Sequence, residues 1–287
     1  MWPEASPPTA AQVAEAFGID VVELRSREGG FEADAFTDGR WFVKLWRHDT
    51  PDERALALTG DLAARGLPVP GAVRAVDGRY TAEHDGKRYA VFPYISGNNA
   101  TWDHQAEIAA VMRDLHAIDD VDLPRLDWVA GAQSYGPMLR ELVDHPWLAK
   151  YRGEVEAHVD RLEAALARAT TIDVPQVVCH YDMQPHNVLV DDDGRLVAVV
   201  DWCWGELAPR EQDLFVAFCG PDPVAFLRDY GAEGIDLTHL EYMLLERSIR
   251  YATGRVEHEV EREFVDEYGF DWCRRIDSML DLARPFT

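Results

Sequence analysis

The chain has 287 residues, and its 52 acidic and 28 basic side chains give a formal net charge of −24. This acidity argues against a nucleic-acid-binding protein, because affinity for phosphate backbones depends on clusters of Lys and Arg. The charge favours cationic small molecules or proteins as partners, although surplus carboxylates also simply keep a protein soluble. The length suits one large domain or two lobes.

Cysteine usage and the N-terminal residues indicate a compartment. The four cysteines, Cys179, Cys203, Cys219 and Cys273, are scattered and show no CxxC spacing. A chain of this size does not need disulfides, so we expect free thiols in a reducing cytoplasm. Residues 1–11 lack the basic and apolar segments of a signal peptide. No run of eighteen apolar residues predicts a membrane span.

The N-terminal third has the pattern of an antiparallel sheet. Asp-Gly pairs at 38–39, 77–78 and 85–86 predict tight turns between β-strands at 33–37, 40–46, 73–76, 79–83 and 88–94. One helix interrupts these strands. Thr50 is expected to cap it, with Pro51 in its first turn and Glu53 completing a capping box. Gly66 is expected to end this helix.

From residue 96 onward the pattern becomes helical. A linker at 96–99 precedes a helix that we expect Asp103 to cap. Apolar residues at 155, 159, 162 and 166 predict another amphipathic helix, and breaks at 221–223 and 231–234 separate several more. The exception is a β-segment at 188–200 around a fourth Asp-Gly pair. We therefore predict an α+β chain with a small sheet-rich lobe, 1–95, and a larger helical lobe, 96–287, that contains one β-hairpin.

The segment 180–187 reads HYDMQPHN and contains the pattern HxDxxxxN directly before that hairpin. If Asp193-Gly194 is a two-residue turn, paired residue numbers sum to 387, which places Asn187 opposite Val200 and beside Asp201. An amide oxygen and a carboxylate at that separation suit Mg²⁺, with substrate phosphates completing its coordination. Asp182 lies in the preceding loop, where its carboxylate could accept a proton from a hydroxyl group.

The same arithmetic applies to the first hairpin, where paired numbers sum to 77. It places Lys44 opposite Ala33 and near Gly29-Gly30. A glycine turn with a nearby ammonium group predicts a cradle for nucleotide phosphates. Simpler explanations stay open for each part: an edge-strand lysine for Lys44, a plain turn for the glycines, and helix capping alone for Glu53.

A glycine turn, a strand lysine, a helix glutamate, HxDxxxxN and a hairpin aspartate follow one another in the order found in protein-kinase-type phosphoryl transfer. Further stretches of sequence share a family pattern: FVKLW at 42–46, GLPVP at 66–70, VFPYISG at 91–97, RDLHAI at 113–118 and VVDW at 199–202. With these motifs the chain resembles the aminoglycoside phosphotransferase family, within the eukaryotic-like kinase superfamily. DLTHLEYMLLER at 236–247 is loosely similar to the spectinomycin-type members.

For the catalytic part, the resemblance implies a role for each matching residue. Asp182 would orient the substrate hydroxyl and act as the catalytic base, and His180 would brace its loop. Asn187 and Asp201 would hold Mg²⁺. Asp213 would tie the catalytic loop to the following helix. His186 departs from the family pattern, since members often have glycine directly before the motif asparagine.

For the nucleotide, the resemblance implies binding of ATP or GTP in the first lobe. Lys44 would contact the α and β phosphates, and Glu53 would fix Lys44. Gly29 and Gly30 would approach the phosphates through their backbone. The carbonyl of Pro93 and the amide of Ile95, where the lobes join, would bind the edge of the base.

The resemblance predicts a small-molecule kinase that phosphorylates a hydroxyl of a cationic, aminoglycoside-like antibiotic and so confers resistance. The same fold also serves metabolic acceptors such as choline, homoserine, a thiosugar or a sugar amine. A non-catalytic kinase-like module would lack Lys44, Asp182 or Asn187, and all three are present. A metal-dependent hydrolase built on His180, Asp182 and His186 would leave Lys44, the lobe junction and the sheet-rich first lobe without a role. The sequence indicates neither nucleic-acid nor membrane binding, and it leaves the oligomeric state open.

Overall fold

The computed structural model describes residues 6–27, 33–47, 52–119, 121–123, 128–259 and 262–287. Its helices, in chain order, are α1 Ala10–Phe17, α2 Glu53–Ala64, α3 Gln105–His116, α4 Trp128–Glu141, α5 Arg152–Ala169, α6 Glu211–Cys219, α7 Pro223–Tyr230, α8 Leu237–Glu257, α9 Arg262–Phe264 and α10 Asp271–Ala283. Its strands are β1 Arg25–Arg27, β2 Ala33–Thr37, β3 Trp41–Trp46, β4 Ala82–His84, β5 Lys87–Pro93, β6 Asn98–Asn99, β7 Gln176–Cys179, β8 Val188–Val190, β9 Leu196–Val199 and β10 Glu206–Pro209.

The described residues form two compact units that interleave along the chain. The first contains described residues of 1–111, 118–124 and 180–206, and the second contains those of 112–117, 125–179 and 207–287. The first unit thus takes in the HxDxxxxN segment and the hairpin that follows it. A functional lobe boundary at residue 95 stays a prediction.

In the first unit, five described strands form an antiparallel sheet in the order β1-β2-β3-β5-β4. Alternation along β3 and β5 sends successive side chains to opposite faces. On one face Val43 and Val91 pack with Phe17 of α1. On the other face Ala90 packs with Leu56 of α2. The sheet is therefore buried on both sides, as its apolar strands require.

The turn chemistry explains which predicted hairpin registers hold. Asp85 and Gly86 both have positive φ and join β4 to β5 as a two-residue turn, with His84 opposite Lys87, as predicted. Asp38 instead accepts the backbone N–H groups of Arg40 and Trp41 through its carboxylate. This Asx-type turn widens the loop.

The wider first loop moves the register of β2 and β3 by two residues. Lys44 faces Ala35 instead of Ala33, and Ala33 pairs with Trp46. Because side chains alternate with a period of two, Lys44 keeps the face that was predicted for it. The segment predicted as a strand at 73–76 lies outside the sheet ladder, and the second Asp-Gly pair, at 77–78, makes a local turn there.

Helix ends follow the expected chemistry with different residues in two places. Asp52 caps α2 by accepting the amide of Arg54, whereas the predicted cap, Thr50, and Pro51 lie outside the described residues. Thr101 caps the turn before α3, a role predicted for Asp103. Gly66, with φ of 87°, follows the end of α2 as predicted. Helix α1, which the sequence reading missed, begins with a capping box at Thr9.

The hairpin β8–β9 extends a small sheet of the first unit through β6. Gly97 precedes β6, and a Cβ atom there would lie 2.8 Å from the carbonyl oxygen of Val190, so only glycine fits. The amide of Val199 donates to the carbonyl of Pro68 at 2.6 Å. The GLPVP segment after α2 is thereby joined to the strand that leads into Asp201.

The second unit is helical apart from the pair β7 and β10. The predicted face of α5 is buried at Val155, Val159 and Leu162. Asp222 caps α7 and Gly231 ends it, which confirms the two predicted breaks. Among the described residues, no helix is long and apolar enough to span a bilayer.

Helix α8 carries ionisable groups into the interior of this unit. Glu246 is only 5% exposed and accepts a hydrogen bond from Arg250 at 3.1 Å. Burial raises the pKa of Glu246 to about 7, and the charge of Arg247 acts in the opposite direction. This carboxyl group therefore changes its charge near neutral pH.

Candidate active site

His180 organises the loop that contains HxDxxxxN. Its buried ring accepts the amide N–H of Asp182 at Nδ1 (3.2 Å), so the network places the proton on Nε2, which donates to the carbonyl of Val200 (2.9 Å). The ring also makes an edge contact with Trp202. One imidazole thus ties Asp182 to the residue directly before Asp201.

Asp182 and Asn187 are held against each other. The side-chain amide of Asn187 donates to both the main-chain oxygen (2.8 Å) and Oδ2 (3.1 Å) of Asp182, and Gln184 donates to Oδ1 (3.2 Å). Nε2 of His186 lies 3.4 Å from Oδ2, and this contact raises the pKa of His186 above its ordinary value. With its Nδ2 engaged, Asn187 directs Oδ1 away from these bonds, and that oxygen has no hydrogen-bond partner among the described residues.

The register predicted for the hairpin β8–β9 is correct at the end that carries Asn187. Val188 pairs with Val199, and the amide of Val200 donates to the carbonyl of Asn187 at 2.8 Å. An irregularity between Leu189 and Val190 shifts the register only toward the turn. Asn187 therefore lies beside the backbone that leads into Asp201, as predicted.

Asp201 adopts an unusual backbone conformation, with φ of 67°. Few residues other than glycine occupy this left-handed region, although Asp and Asn tolerate it better than most. Burial alone would raise the pKa of Asp201. The charge and the hydrogen bond of Lys44 lower it by a larger amount, so the pKa of Asp201 lies below its ordinary value. Asp201 is therefore ionised at neutral pH.

Lys44 reaches this carboxylate from β3. Its Nζ donates to Oδ1 of Asp201 at 2.6 Å and lies 3.1 Å from Sγ of Cys203. Burial would lower the pKa of Lys44, but Asp201 outweighs it and raises that pKa above its ordinary value. The lysine and the hairpin aspartate, 157 positions apart in the chain, are thus brought into direct contact.

Glu53 is placed elsewhere. Its two carboxylate oxygens accept the amide of Tyr80 (2.6 Å) and the hydroxyl of Thr81. The structure therefore does not bring Glu53 and Lys44 together, and contacts with the loop before β4 account for the carboxylate of Glu53. The expected role of Glu53 in fixing the position of Lys44 stays a prediction.

Cys203 is the residue that sequence reasoning missed. Its thiol donates to Oδ1 of Asp201 at 3.1 Å while it contacts Lys44. Burial raises the pKa of this thiol to about 12, with Lys44 opposing and Asp201 adding to the effect. Its position two residues after Asp201 was the available signal, since that spacing returns a side chain to the same region.

The remaining nucleotide-site candidates are only partly described. Gly29 and Gly30 lie outside the described residues. Pro93 ends β5 opposite Trp41, and Ile95 follows two residues later. Their expected contacts with a base stay predictions.

In the second unit, Asp213 of α6 is fully buried and accepts a hydrogen bond from Nε2 of His116 at 3.1 Å. Nδ1 of the same ring pairs with the hydroxyl of Tyr230 at 2.7 Å. The Sγ atom of Cys179 lies within 4.8 Å of the His116 and Asp213 ligand atoms. Both ring nitrogens are already used and Cys179 faces the carbonyls of Ala208 and Pro209, so this cluster forms a hydrogen-bonded anchor.

The first-unit residues fit a divalent cation and a phosphate ester. A free amide oxygen on Asn187 and an ionised carboxylate on Asp201 are hard ligands of the kind that Mg²⁺ prefers. Asp182 is oriented by two amide donors, and its side chain is 30% exposed, which leaves it accessible to a hydroxyl. Lys44 supplies a charge that could offset developing charge on a phosphoryl group.

The structure brings Lys44 to Asp201 and Asn187 to Asp182, which are contacts that a kinase-like phosphotransferase would use. The chain belongs to the phosphotransferase enzyme family, whose model matches residues 23–244. Its α+β kinase-like fold, shared with a spectinomycin phosphotransferase and a choline kinase, confirms the predicted fold class.

Three individual proteins that resemble this chain share less than 30% sequence identity with it. A homoserine kinase from Methylobacillus flagellatus is 28% identical over 178 residues, which covers 58% of this chain and 51% of that protein. The match thus spans about half the length of that relative. A spectinomycin phosphotransferase bound to ADP and spectinomycin has a TM-score of 0.68 at 18% identity and covers 97% of this chain and 98% of its own. The structure of a choline kinase from Streptococcus pneumoniae has a TM-score of 0.63 at 16% identity, and the match covers 91% of this chain and 94% of the choline kinase.

Proposed function

We propose that this enzyme is a small-molecule kinase that uses Mg²⁺ and ATP, or GTP, to phosphorylate a hydroxyl of an aminoglycoside-like antibiotic. The observation that supports this most directly is the contact set of Asp182, Asn187, Asp201 and Lys44. In this proposal residues 1–95 bind the nucleotide, and residues 96–287 supply the catalytic loop, the metal ligands and the acceptor site. Four free cysteines favour action in the reducing cytoplasm.

Each residue has a task that follows from its contacts. Asp182 aligns the acceptor hydroxyl and takes up its proton, because Gln184 and Asn187 fix both of its oxygens. His180 positions the amide of Asp182 and does not contact substrate. Asn187 Oδ1 and Asp201 hold the metal, which when bound offsets charge on the phosphates. Lys44 binds phosphate oxygens, and Pro93 and Ile95 bind the base.

The mechanism asks little covalent chemistry of the protein. In phosphoryl transfer the main contributions are positioning and charge stabilisation. Asp213 contributes indirectly, through a buried hydrogen bond with His116 that fixes α6 against the end of α3.

The net charge of −24 supports a cationic acceptor, since a strongly acidic surface attracts cations. A spectinomycin phosphotransferase shares the fold. Phosphorylation would add roughly −1.5 to −2 charges to such a compound and weaken its attraction to anionic RNA. This is how the reaction would confer resistance.

A metabolic acceptor is the second candidate. The sequence similarity to a homoserine kinase favours it, and the choline kinase with the same fold adds a cationic metabolite to the set. The catalytic residues would keep the same tasks with either acceptor, because only the groups that bind the acceptor would differ.

The test is release of nucleoside diphosphate with ATP and GTP separately, against aminoglycosides, spectinomycin, choline, homoserine and sugar amines. Stimulation by one antibiotic class, with turnover of about 1 s⁻¹ or faster, supports the first candidate. Stimulation by homoserine or choline alone replaces it with the second. Nucleotide binding without turnover on the whole panel would contradict both.

A further inference from the structure

Lys44 has a single counter-charge in the described part of the chain. Its Nζ lies 2.6 Å from Asp201, and the other close polar atom is the sulfur of Cys203. The Lys44 side chain is only 13% exposed. Glu53 is not a second counter-charge in this structure, because its carboxylate is bonded to Tyr80 and Thr81. Lys44 can therefore leave Asp201 only if another anion replaces it.

Cys203 does not replace that carboxylate. As a thiol it donates to Asp201 and accepts from Lys44, so it bridges the pair without adding negative charge. If Asp201 turned to another cation, Lys44 would be left buried with only a neutral neighbour, which is costly.

The proposed metal ligand is thus already paired with an ammonium group. A divalent cation that binds Asp201 meets the positive charge of Lys44 in direct contact with the same carboxylate. Two cations held at one carboxylate repel each other, and the repulsion is stronger when one of them is divalent. The two cations therefore compete for Asp201.

We propose that Lys44 acts as an exchangeable counter-ion that makes metal binding conditional on nucleotide binding. Phosphates of a nucleotide attract Lys44 away from Asp201, and the carboxylate is then released to the metal. Metal alone would leave Lys44 without a counter-charge, and nucleotide alone would leave Asp201 without one. Together they exchange partners, so each increases the affinity of the other by the same factor.

This inference rests on the nucleotide and metal site of the proposed function and is independent of the acceptor. It predicts gains of affinity from variants that a simple loss of ligands would not give. Lys44→Met should bind metal alone more tightly than the wild type. Asp201→Asn should bind metal-free nucleotide more tightly, because Lys44 is then free to meet the phosphates.

The first experiment measures binding of Mn²⁺ alone by electron paramagnetic resonance. We expect Lys44→Met to bind Mn²⁺ at least tenfold more tightly than the wild type, which corresponds to about 1.4 kcal/mol. Lys87→Met is the matched control, since it removes the same charge from β5 of the same sheet. An affinity of Lys44→Met no higher than that of Lys87→Met would overturn the proposal.

The second experiment titrates ADP calorimetrically in the presence of EDTA. Asp201→Asn is a suitable variant because asparagine tolerates the left-handed backbone of this position. We expect its affinity for metal-free ADP to rise at least fivefold, and its affinity for ADP with Mn²⁺ to fall. An unchanged or weaker metal-free affinity in a variant with a wild-type circular dichroism spectrum would overturn the proposal.

Binding of ADP by the wild type separates a failure of the proposed nucleotide site from a failure of the Lys44 exchange. If the wild type binds no ADP even with Mn²⁺, the proposed nucleotide site itself is wrong. If the wild type binds ADP with Mn²⁺ and either expected gain is missing, the nucleotide site stands and the exchange of Lys44 is wrong.

Discussion

Asp182→Asn tests the catalytic assignment most sharply, because it changes one atom and leaves the shape of the side chain. Oδ1 of the carboxylate accepts a hydrogen bond from Gln184, and Oδ2 accepts one from Asn187. In the variant one of these donors faces an NH₂ group, which costs about 1 kcal/mol. The variant also loses the ability to accept a proton from the acceptor, a contribution of about 10²- to 10⁴-fold in rate.

The nucleotide and metal site should survive this change. Asn187 keeps its hydrogen bond to the main-chain oxygen of Asp182 at 2.8 Å, which the substitution does not alter. We therefore expect kcat to fall about 10²- to 10⁴-fold or somewhat more, while the affinity for ADP with Mg²⁺ changes by less than about threefold.

The assay is diphosphate release with the acceptor that gives the highest rate, paired with calorimetric titration of ADP. Gln184→Ala is the control, because it removes one hydrogen bond of the same carboxylate and keeps the proton acceptor. It should cost less than about tenfold. If Asp182→Asn retains a kcat within tenfold of the wild type, or if Gln184→Ala is equally slow, Asp182 does not take up the proton.

Three further predictions concern stability, each measured by urea denaturation. The folded-state pKa of Glu246, about 7, lies above its ordinary value of 4.5, so the wild type should lose stability as the pH rises from 4.5 to 7. In Glu246→Gln the free energy of unfolding should change by about 1 to 3 kcal/mol less between pH 5 and 8 than in the wild type. The same change of stability with pH in both proteins would contradict the raised pKa of Glu246. Glu53→Ala should lower the free energy of unfolding by about 1 to 3 kcal/mol through the buried contact with Thr81, whereas a role for Glu53 only in nucleotide binding predicts no change. His116→Phe should cost a similar amount by removing a hydrogen bond from buried Asp213, and a wild-type midpoint would show that the bond is unimportant.

Local chemistry determined which parts of the site could be read from the sequence. The open end of the hairpin β8–β9 was predictable because the pairing of Asn187 with Val200 depends on a few residues around one turn. The first hairpin was misread by two residues because Asp38 uses its side chain to hold a longer loop. Lys44 nevertheless kept its face, since an even shift preserves the alternation of a strand.

The partner of Lys44 could not be read in this way. Glu53 was the natural choice from the order of motifs, yet the conformation of the loop around Thr81 decides where its carboxylate bonds. The contact between Lys44 and Asp201 joins residues 157 positions apart. Such a contact depends on how β3 and the hairpin pack together, and no local periodicity encodes that packing.

The interleaving of the two units has a consequence for how the protein is made. The hydrogen bond from Val199 to Pro68 and the pairing of β8 with β6 join late residues to early ones. During vectorial synthesis about a third of the chain must therefore be made after β6 before the hairpin β8–β9 is available, so the small sheet of the first unit forms late. A fragment cut after the first hundred residues would expose the edge of β6 and a buried lysine without its carboxylate. Split or truncated forms of this enzyme should consequently depend on chaperones, or on co-expression of the missing segment, to remain folded.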